Sequence, residues 1–148
     1  MTSTAPSTKW GLILLASVSV WVFGFVLIAA IIFAYAFSLG LAARGAPDPA
    51  AIQQFANAVG PIWGPRLSIV FTGIAAIWLG RQVPARPVLH GFLIGLIVGG
   101  VPFAVRHPLA LEPILTLSAI LLVGGTGGWL GRHLKGSTST SGPTRHAV

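Results

Sequence analysis

Few side chains of this sequence could do chemistry, and they are spread along a strongly apolar chain. The 148 residues include two acidic residues, four histidines and no cysteine, so disulfides and thiolate metal sites are excluded. No paired carboxylates, HExxH motif, Walker motif or nucleophile elbow occurs in the sequence. The sequence therefore predicts a protein that is not an enzyme, with no catalytic residues, no metal site and no cofactor.

His90 is the histidine best placed to hold a cofactor between helices. It stands just before a glycine-rich apolar segment, where an imidazole could ligate a porphyrin or carry a proton. Such a histidine is more often a polar residue that packs between helices without binding a cofactor. We therefore keep cofactor binding at His90 as the less favoured alternative.

A second group of polar residues is expected at the outer ends of the apolar segments. It contains Arg66, Arg106, His107 and Glu112, with Asp48 as a further neighbour. An Arg–Glu pair in this group could bind a small anion. Anchoring of helix ends is favoured, because charged side chains near a helix end can reach the membrane interface.

These polar residues flank apolar segments that define the class of protein. Hydrophobic residues make up 54% of the chain and charged residues 7%, whereas soluble domains carry about a quarter charged residues. An apolar run of about 20 residues crosses a bilayer. The sequence predicts an all-α integral membrane protein with two packed antiparallel hairpins, whose four transmembrane helices span residues 10–41, 63–79, 88–105 and 109–130.

The ends of the chain differ from this membrane domain, which covers residues 10–132. Residues 1–9 and 133–148 are rich in Ser, Thr, Gly and Pro. Such segments cannot bury enough apolar surface to fold. They are predicted to be disordered tails.

The outer loop between the first two spans is predicted to hold a short amphipathic helix at residues 49–59. Asp48 can cap its N-terminus, and Gly60–Pro61 is expected to end it. Its apolar face would lie on the membrane surface or over the bundle. That face contains Ile52, Phe55, Ala56 and Val59, opposite Gln53, Gln54 and Asn57.

The positive charges predict the orientation of the chain. Cytoplasmic loops of membrane proteins carry an excess of Lys and Arg. The split indicates a bacterial plasma-membrane protein with both termini in the cytoplasm, and the scattered charges do not indicate a nucleic-acid partner. The cytoplasmic side would hold Lys9, Arg81, Arg86, Arg132, Lys135 and Arg145, and the outer side Arg44, Arg66 and Arg106.

The tetrapeptide WLGR occurs twice, at residues 78–81 and 129–132. Trp and Arg at the end of an apolar run anchor a helix at the headgroups, so Trp78, Arg81, Trp129 and Arg132 are predicted interface anchors. Small residues match upstream of both copies, and such residues let helix backbones approach closely. The predicted packing positions are Gly73, Ala76 and Gly80, then Gly124, Gly127 and Gly131, and a third stripe at Gly91, Gly95 and Gly99. Tandem duplication of a hairpin and convergence explain the match equally well.

The sequence leaves three functions open. Small multidrug transporters and fluoride channels also have four spans, but the carboxylate of the first and the Thr/Phe/Ser-rich motif of the second are missing. Glycine stripes favour a non-enzymatic accessory or scaffold subunit of a membrane complex, or a homo-oligomer, with the third and fourth spans as contact surfaces. The alternatives are a channel or transporter for an uncharged or weakly polar solute, and a pigment- or haem-binding subunit that uses His90. Such a channel would be lined by Ser17, Ser19, Ser38, Thr72, Thr116, Ser118 and Thr126.

Overall fold

The structure, a computed structural model, describes residues 8–83, 85–105 and 111–137. These residues form four helices, all long and apolar enough to cross a membrane, which confirms the predicted all-α membrane protein with four candidate spans. Most of both predicted tails, and the residues between the third and fourth helices, lie outside the described ranges. The helices are α1 (Trp10–Ala43), α2 (Pro49–Gln82), α3 (Pro87–Val105) and α4 (Leu111–Ser137).

The second helix corrects the sequence prediction, because the outer-loop helix and the second span are one element. α2 begins where expected, and the Asp48 side chain accepts a hydrogen bond from the Ala50 N–H at 2.9 Å, which confirms the cap. The helix then continues through Pro61, where its end was predicted, and through Pro65.

Packing along α1 accounts for this continuity. The predicted apolar face of residues 52–59 is half-buried or buried, and Gln53 on the opposite face is exposed. Phe55 stacks on Tyr35 of α1, with 3.9 Å between ring centroids. A proline inside a helix removes a backbone donor at a cost of about 3 kcal/mol. Contacts with α1 along this outer segment offset that cost.

The fourth helix also runs further than predicted. α4 reaches Ser137, so the first residues of the predicted C-terminal tail are helical. Of the two WLGR glycines, Gly80 lies in the last turn of α2, whereas Gly131 lies six residues before the end of α4. No described glycine has a positive φ.

The inner half of the bundle contains its hydrophobic core. We call this end, where Lys9 meets His90, the inner end, and the end with the α1–α2 connection the outer end. Ile13, Leu79 and Ile94 are fully buried there. They come from α1, α2 and α3, so these three helices converge at the inner end.

α4 packs against the opposite side of α2 and α3 and shares no contact with α1 among the described residues. Gly73 faces Val123 while Gly80 faces Gly128, so α2 and α4 run in the same direction. Gly91 faces Gly124, and Gly99 further along α3 faces Leu117 earlier on α4, so these two helices are antiparallel.

The predicted small residues make these close approaches inside the chain. A Cβ on Gly80 would overlap the carbonyl oxygen of Gly128, and a Cβ on Gly131 would overlap that of Ile77. A Cβ on Gly95 would lie 3.0 Å from the carbonyl oxygen of Ile120. The stripes on the third and fourth spans are therefore occupied by neighbouring helices of the same chain, rather than left free for partners as predicted.

The first two helices are much longer than the third. α1 and α2 contain 34 residues each, or about 51 Å at 1.5 Å per residue, whereas the 19 residues of α3 cover about 28 Å. The contact between Lys9 and His90 places the starts of α1 and α3 at the same level at the inner end. The α1–α2 hairpin therefore projects beyond α3 at the outer end by about 20 Å. We call residues 30–60 the projecting hairpin.

Candidate functional site

A cavity of about 320 Å³ lies in the outer half of the bundle and is lined by residues of all four helices. Val20 and Val98 line it and belong to the buried core as well, so the core closes the cavity toward the inner end. We call this half-open cavity the cup. Its lining consists of Val20, Trp21, Gly24, Phe25, Ile28, Gly60, Gly64, Pro65, Ser68, Val98, Gly99, Pro102, Phe103, Glu112, Pro113, Thr116 and Ile120.

Glycine makes room for this cup. A Cβ built on Gly24, Gly60 or Gly64 would meet no atom within 4 Å. These glycines therefore differ from those between α2, α3 and α4, whose missing side chains are replaced by a neighbouring backbone. The cup has a volume typical of the lower end of ligand pockets, which cover about 300–1,000 Å³.

The polar groups among the lining residues include donors, such as the Trp21 indole N–H and the Thr116 hydroxyl, and acceptors, such as the Glu112 carboxylate. Glu112, in the first turn of α4, is the one charged side chain among the lining residues that the structure describes, and it is exposed at the rim. The Ser68 hydroxyl already donates to the Gly64 carbonyl at 2.9 Å. Pro102 has no N–H for the carbonyl oxygen of Val98. The cup thus combines apolar walls with donors, acceptors and a negative charge.

His90 lies at the opposite end of the bundle and is 3% exposed. Its Nδ1 lies 2.9 Å from the Arg86 carbonyl oxygen, and its Nε2 lies 3.4 Å from the backbone nitrogen of Lys9. A carbonyl can only accept and a backbone N–H can only donate. Nδ1 therefore carries the proton and Nε2 accepts, so His90 joins the start of α1 to the start of α3. Both ring nitrogens face atoms of the protein in this arrangement.

The structure places two members of the predicted outer polar cluster. Arg66 is exposed and lies over the indole of Trp63, with its Cζ 5.7 Å from the ring centroid, a cation–π arrangement. Glu112 lies at the rim of the cup. Arg106 and His107 belong to the undescribed residues between α3 and α4.

The hydroxyl groups that were candidates for lining a channel do not share one surface. Most donate to a carbonyl oxygen one turn earlier in their own helix, as Ser17 does to Ile13 at 2.9 Å and Ser118 does to Ile114 at 2.8 Å. Ser17 is buried and Ser118 is exposed. Thr72 is fully buried, and its hydroxyl has no hydrogen-bond partner. Thr116 alone of the seven lines the cup.

The predicted anchor residues lie together at the inner end. Trp78 and Trp129 are 44% and 54% exposed, and Arg81 and Arg132 are exposed. Because α2 and α4 are parallel, both WLGR copies reach the same level. This placement fits the aromatic belt of a membrane interface.

The exposed face of α1 on the projecting hairpin was not predicted from the sequence. Phe33, Phe37 and Leu41 are 72%, 60% and 67% exposed. Phe33 and Phe37 stack with 6.4 Å between centroids, and their spacing of four residues gives one helical ridge. Beside the ridge lies a wholly apolar groove that includes Ala36 and Gly40. The uniformly apolar sequence of α1 gave no sign of which face lacks a partner.

Comparison of the chain with protein-family models finds no match, and searches of curated proteins and of solved structures find no significant match either. The fold and geometry above define a helical protein with four candidate membrane spans. Among residues 8–83, 85–105 and 111–137, no group of three or more His, Asp or Glu side chains could hold a metal ion.

Proposed function

We propose that this chain is a non-enzymatic scaffold protein of the bacterial plasma membrane that associates with a second copy of itself through α1. The observation that carries this proposal is the apolar ridge of Phe33, Phe37 and Leu41 on the projecting hairpin. The scaffold function is the one expected from the sequence. The proposed contact surface is α1, because the glycine stripes pack inside the chain.

The surroundings of the ridge support a protein partner. Phe55 stacks on Tyr35, so residues 53–57 of α2 lie at the level of the ridge on α1. Gln53 and Asn57 are exposed there and joined by a hydrogen bond of 3.1 Å. Exposed amides of this kind belong in water or among headgroups. Because the ridge lies at the same level as these amides, lipid tails are not expected to surround it. Its apolar side chains are expected to pack against protein instead.

The shape of the patch supports a second copy as that cover. A two-fold symmetric interface brings the same patch of each subunit together, so the patch must be complementary to itself. Here the ridge of Phe33 and Phe37 lies beside the groove at Ala36 and Gly40. The ridge of one copy can enter the groove of the other. Ridges with a spacing of four residues pack at a crossing angle of about −50°.

The area and extent of the patch also suit association. With side chains of about 200 Å² each, Phe33 and Phe37 alone expose about 250 Å². Contiguous apolar patches of a few hundred Å² mark interaction sites. Val18, Val22 and Val26 continue the exposed stripe toward the inner end with the same four-residue spacing. Two α1 helices could thus remain in contact within the bilayer.

The orientation proposed for the protein rests on charge. Lys9, Arg81, Arg86 and Arg132 lie at the inner end, and Arg44, Arg66 and both acids lie elsewhere. The positive-inside rule then places the inner end and both termini in the cytoplasm. In this orientation the projecting hairpin faces the outside, and the cup lies in the outer half of the bundle.

We further propose that the bundle consists of two antiparallel hairpins, α1–α2 and α3–α4. Close packing of Gly80 with Gly128 supports an arrangement in which α2 and α4 are equivalent helices in the two halves. A tandem duplication would produce this relation, and so would convergence on the same inner anchors. Both origins remain open.

Native mass spectrometry in a mild detergent tests the proposed self-association. We expect a dimer for the natural sequence, and a monomer for a double variant with Phe33→Gln and Phe37→Gln. The matched control is Gln54→Ala, which changes an exposed side chain on the other face of the hairpin and should leave the dimer intact. A natural chain that is strictly monomeric would contradict the proposal.

A further inference from the structure

We infer that the cup binds an amphiphile that has an ammonium head group and places one alkyl chain in the cup. Glu112 is its charged contact. The ligand class is an alkylammonium amphiphile. Its source is either an amine-bearing lipid of the bilayer or a soluble cationic amphiphile. This site does not depend on self-association, because no residue of the α1 ridge lines the cup.

The walls of the cup determine the apolar part of the ligand. Trp21, Phe25 and Phe103 provide aromatic surface, and Val20, Val98 and Ile120 close the inner end. A volume of about 320 Å³ equals that of on the order of ten water molecules. It therefore accepts part of one acyl or alkyl chain. A lipid with two chains would place only one of them in the cup.

The rim determines the head group. Glu112 is the only charged residue among the described lining residues, which do not include residues 106–110. Carboxylates accept charge-assisted hydrogen bonds from ammonium groups. Because indole and hydroxyl donors such as those of Trp21 and Thr116 also occur among the lining residues, the preference for a cation over an anion rests on Glu112.

The open glycines provide a direct test of the location. Gly24→Leu should fill the cup without a clash, because a Cβ at Gly24 meets no atom within 4 Å. Gly64→Leu is the second variant, used if the first does not fold. Gly100→Leu is the matched control, since Gly100 is equally open but does not line the cup. Circular dichroism and size-exclusion chromatography would establish that each variant is folded.

Titration with dodecylammonium, whose primary ammonium group can donate to a carboxylate, tests the soluble source in a non-ionic detergent. Intrinsic tryptophan fluorescence follows the binding. We expect saturable binding that Gly24→Leu weakens at least tenfold and Gly100→Leu leaves unchanged. Glu112→Gln should also weaken binding about tenfold, the ratio that corresponds to one charge-assisted contact. The control Asp48→Asn removes the same charge far from the cup, keeps a good helix cap, and should leave binding unchanged.

Native mass spectrometry from nanodiscs that contain equal amounts of phosphatidylethanolamine and phosphatidylglycerol tests the lipid source. Retention of phosphatidylethanolamine that depends on Gly24 and Glu112 would support a lipid ligand. Binding of the soluble probe without lipid retention would support a soluble one. Unchanged binding in Gly24→Leu, or equal or stronger binding of dodecyl sulfate, would overturn the inference. A monomeric protein that binds the probe would disprove self-association alone.

Discussion

The backbones of Gly91 and Gly124 lie against each other so closely that a Cβ on either residue would overlap the carbonyl oxygen of the other. This reciprocal contact joins α3 to α4 without any side chain. Helices in a bilayer gain little from hydrophobic burial against each other and associate through such close packing. The contact is therefore a main determinant of how α4 is held in the bundle.

Gly124→Ala should destabilise the protein by about 1–3 kcal/mol, the usual cost of overpacking. Backbone atoms of Gly91 would have to move, and they cannot adopt another rotamer. Gly100→Ala is the matched control, because a Cβ there meets no atom within 4 Å, and its effect should stay below about 0.5 kcal/mol. Unfolding in detergent micelles by added SDS measures both. Equal stability of the two variants would show that the helices are not packed in this way.

The contact between His90 and Lys9 gives a second prediction. His90→Phe keeps a ring of similar size but removes both hydrogen bonds, each worth about 0.5–1.5 kcal/mol. We expect a loss of stability of about 1–2 kcal/mol and faster amide hydrogen exchange in the first turn of α1. His133→Phe is the control for loss of an imidazole, because His133 lies on α4, which shares no contact with α1 among the described residues, and it should leave exchange in the first turn of α1 unchanged. Unchanged exchange there in His90→Phe would argue against the role assigned to His90.

Thr72 provides a prediction of the opposite sign. Its hydroxyl is buried and has no hydrogen-bond partner, which costs about 1–3 kcal/mol. Thr72→Val has nearly the same shape and should stabilise the protein by about 1 kcal/mol. Thr126→Val, at an exposed hydroxyl that bonds Leu122, should change stability by less than about 0.5 kcal/mol. A destabilised Thr72→Val variant would indicate that the hydroxyl has a partner in the membrane.

The sequence allowed a good prediction of the helices and of their local signals. Runs of apolar residues identify spans by length alone, and the cap at Asp48 follows from the chemistry of one residue and its neighbours. The end predicted at Gly60–Pro61 was wrong, because packing of Phe55 on Tyr35 outweighs the local effect of a proline. Such a contact joins residues 20 positions apart and has no local signature.

The candidate site was harder to predict than the helices, because it too depends on contacts between residues that are far apart in the sequence. A stripe of small residues identifies the face of a helix that packs closely, but it does not identify the partner helix. Gly91 and Gly124 could have faced another chain as easily as each other. Similarly, the link between His90 and Lys9 spans 81 residues. The cup lies between α1 and α4, which share no contact among the described residues, and this arrangement depends on the packing of all four helices.

Disulfide cross-linking in native membranes tests self-association through α1 most directly. The natural chain contains no cysteine, so Ala36→Cys on the ridge-and-groove patch has no background. Leu122→Cys on α4, which is 69% exposed, is the matched control for random collisions. We predict rapid formation of a covalent dimer by Ala36→Cys under mild oxidation, and little by Leu122→Cys. A monomer in both variants, or equal cross-linking in both, would contradict the account.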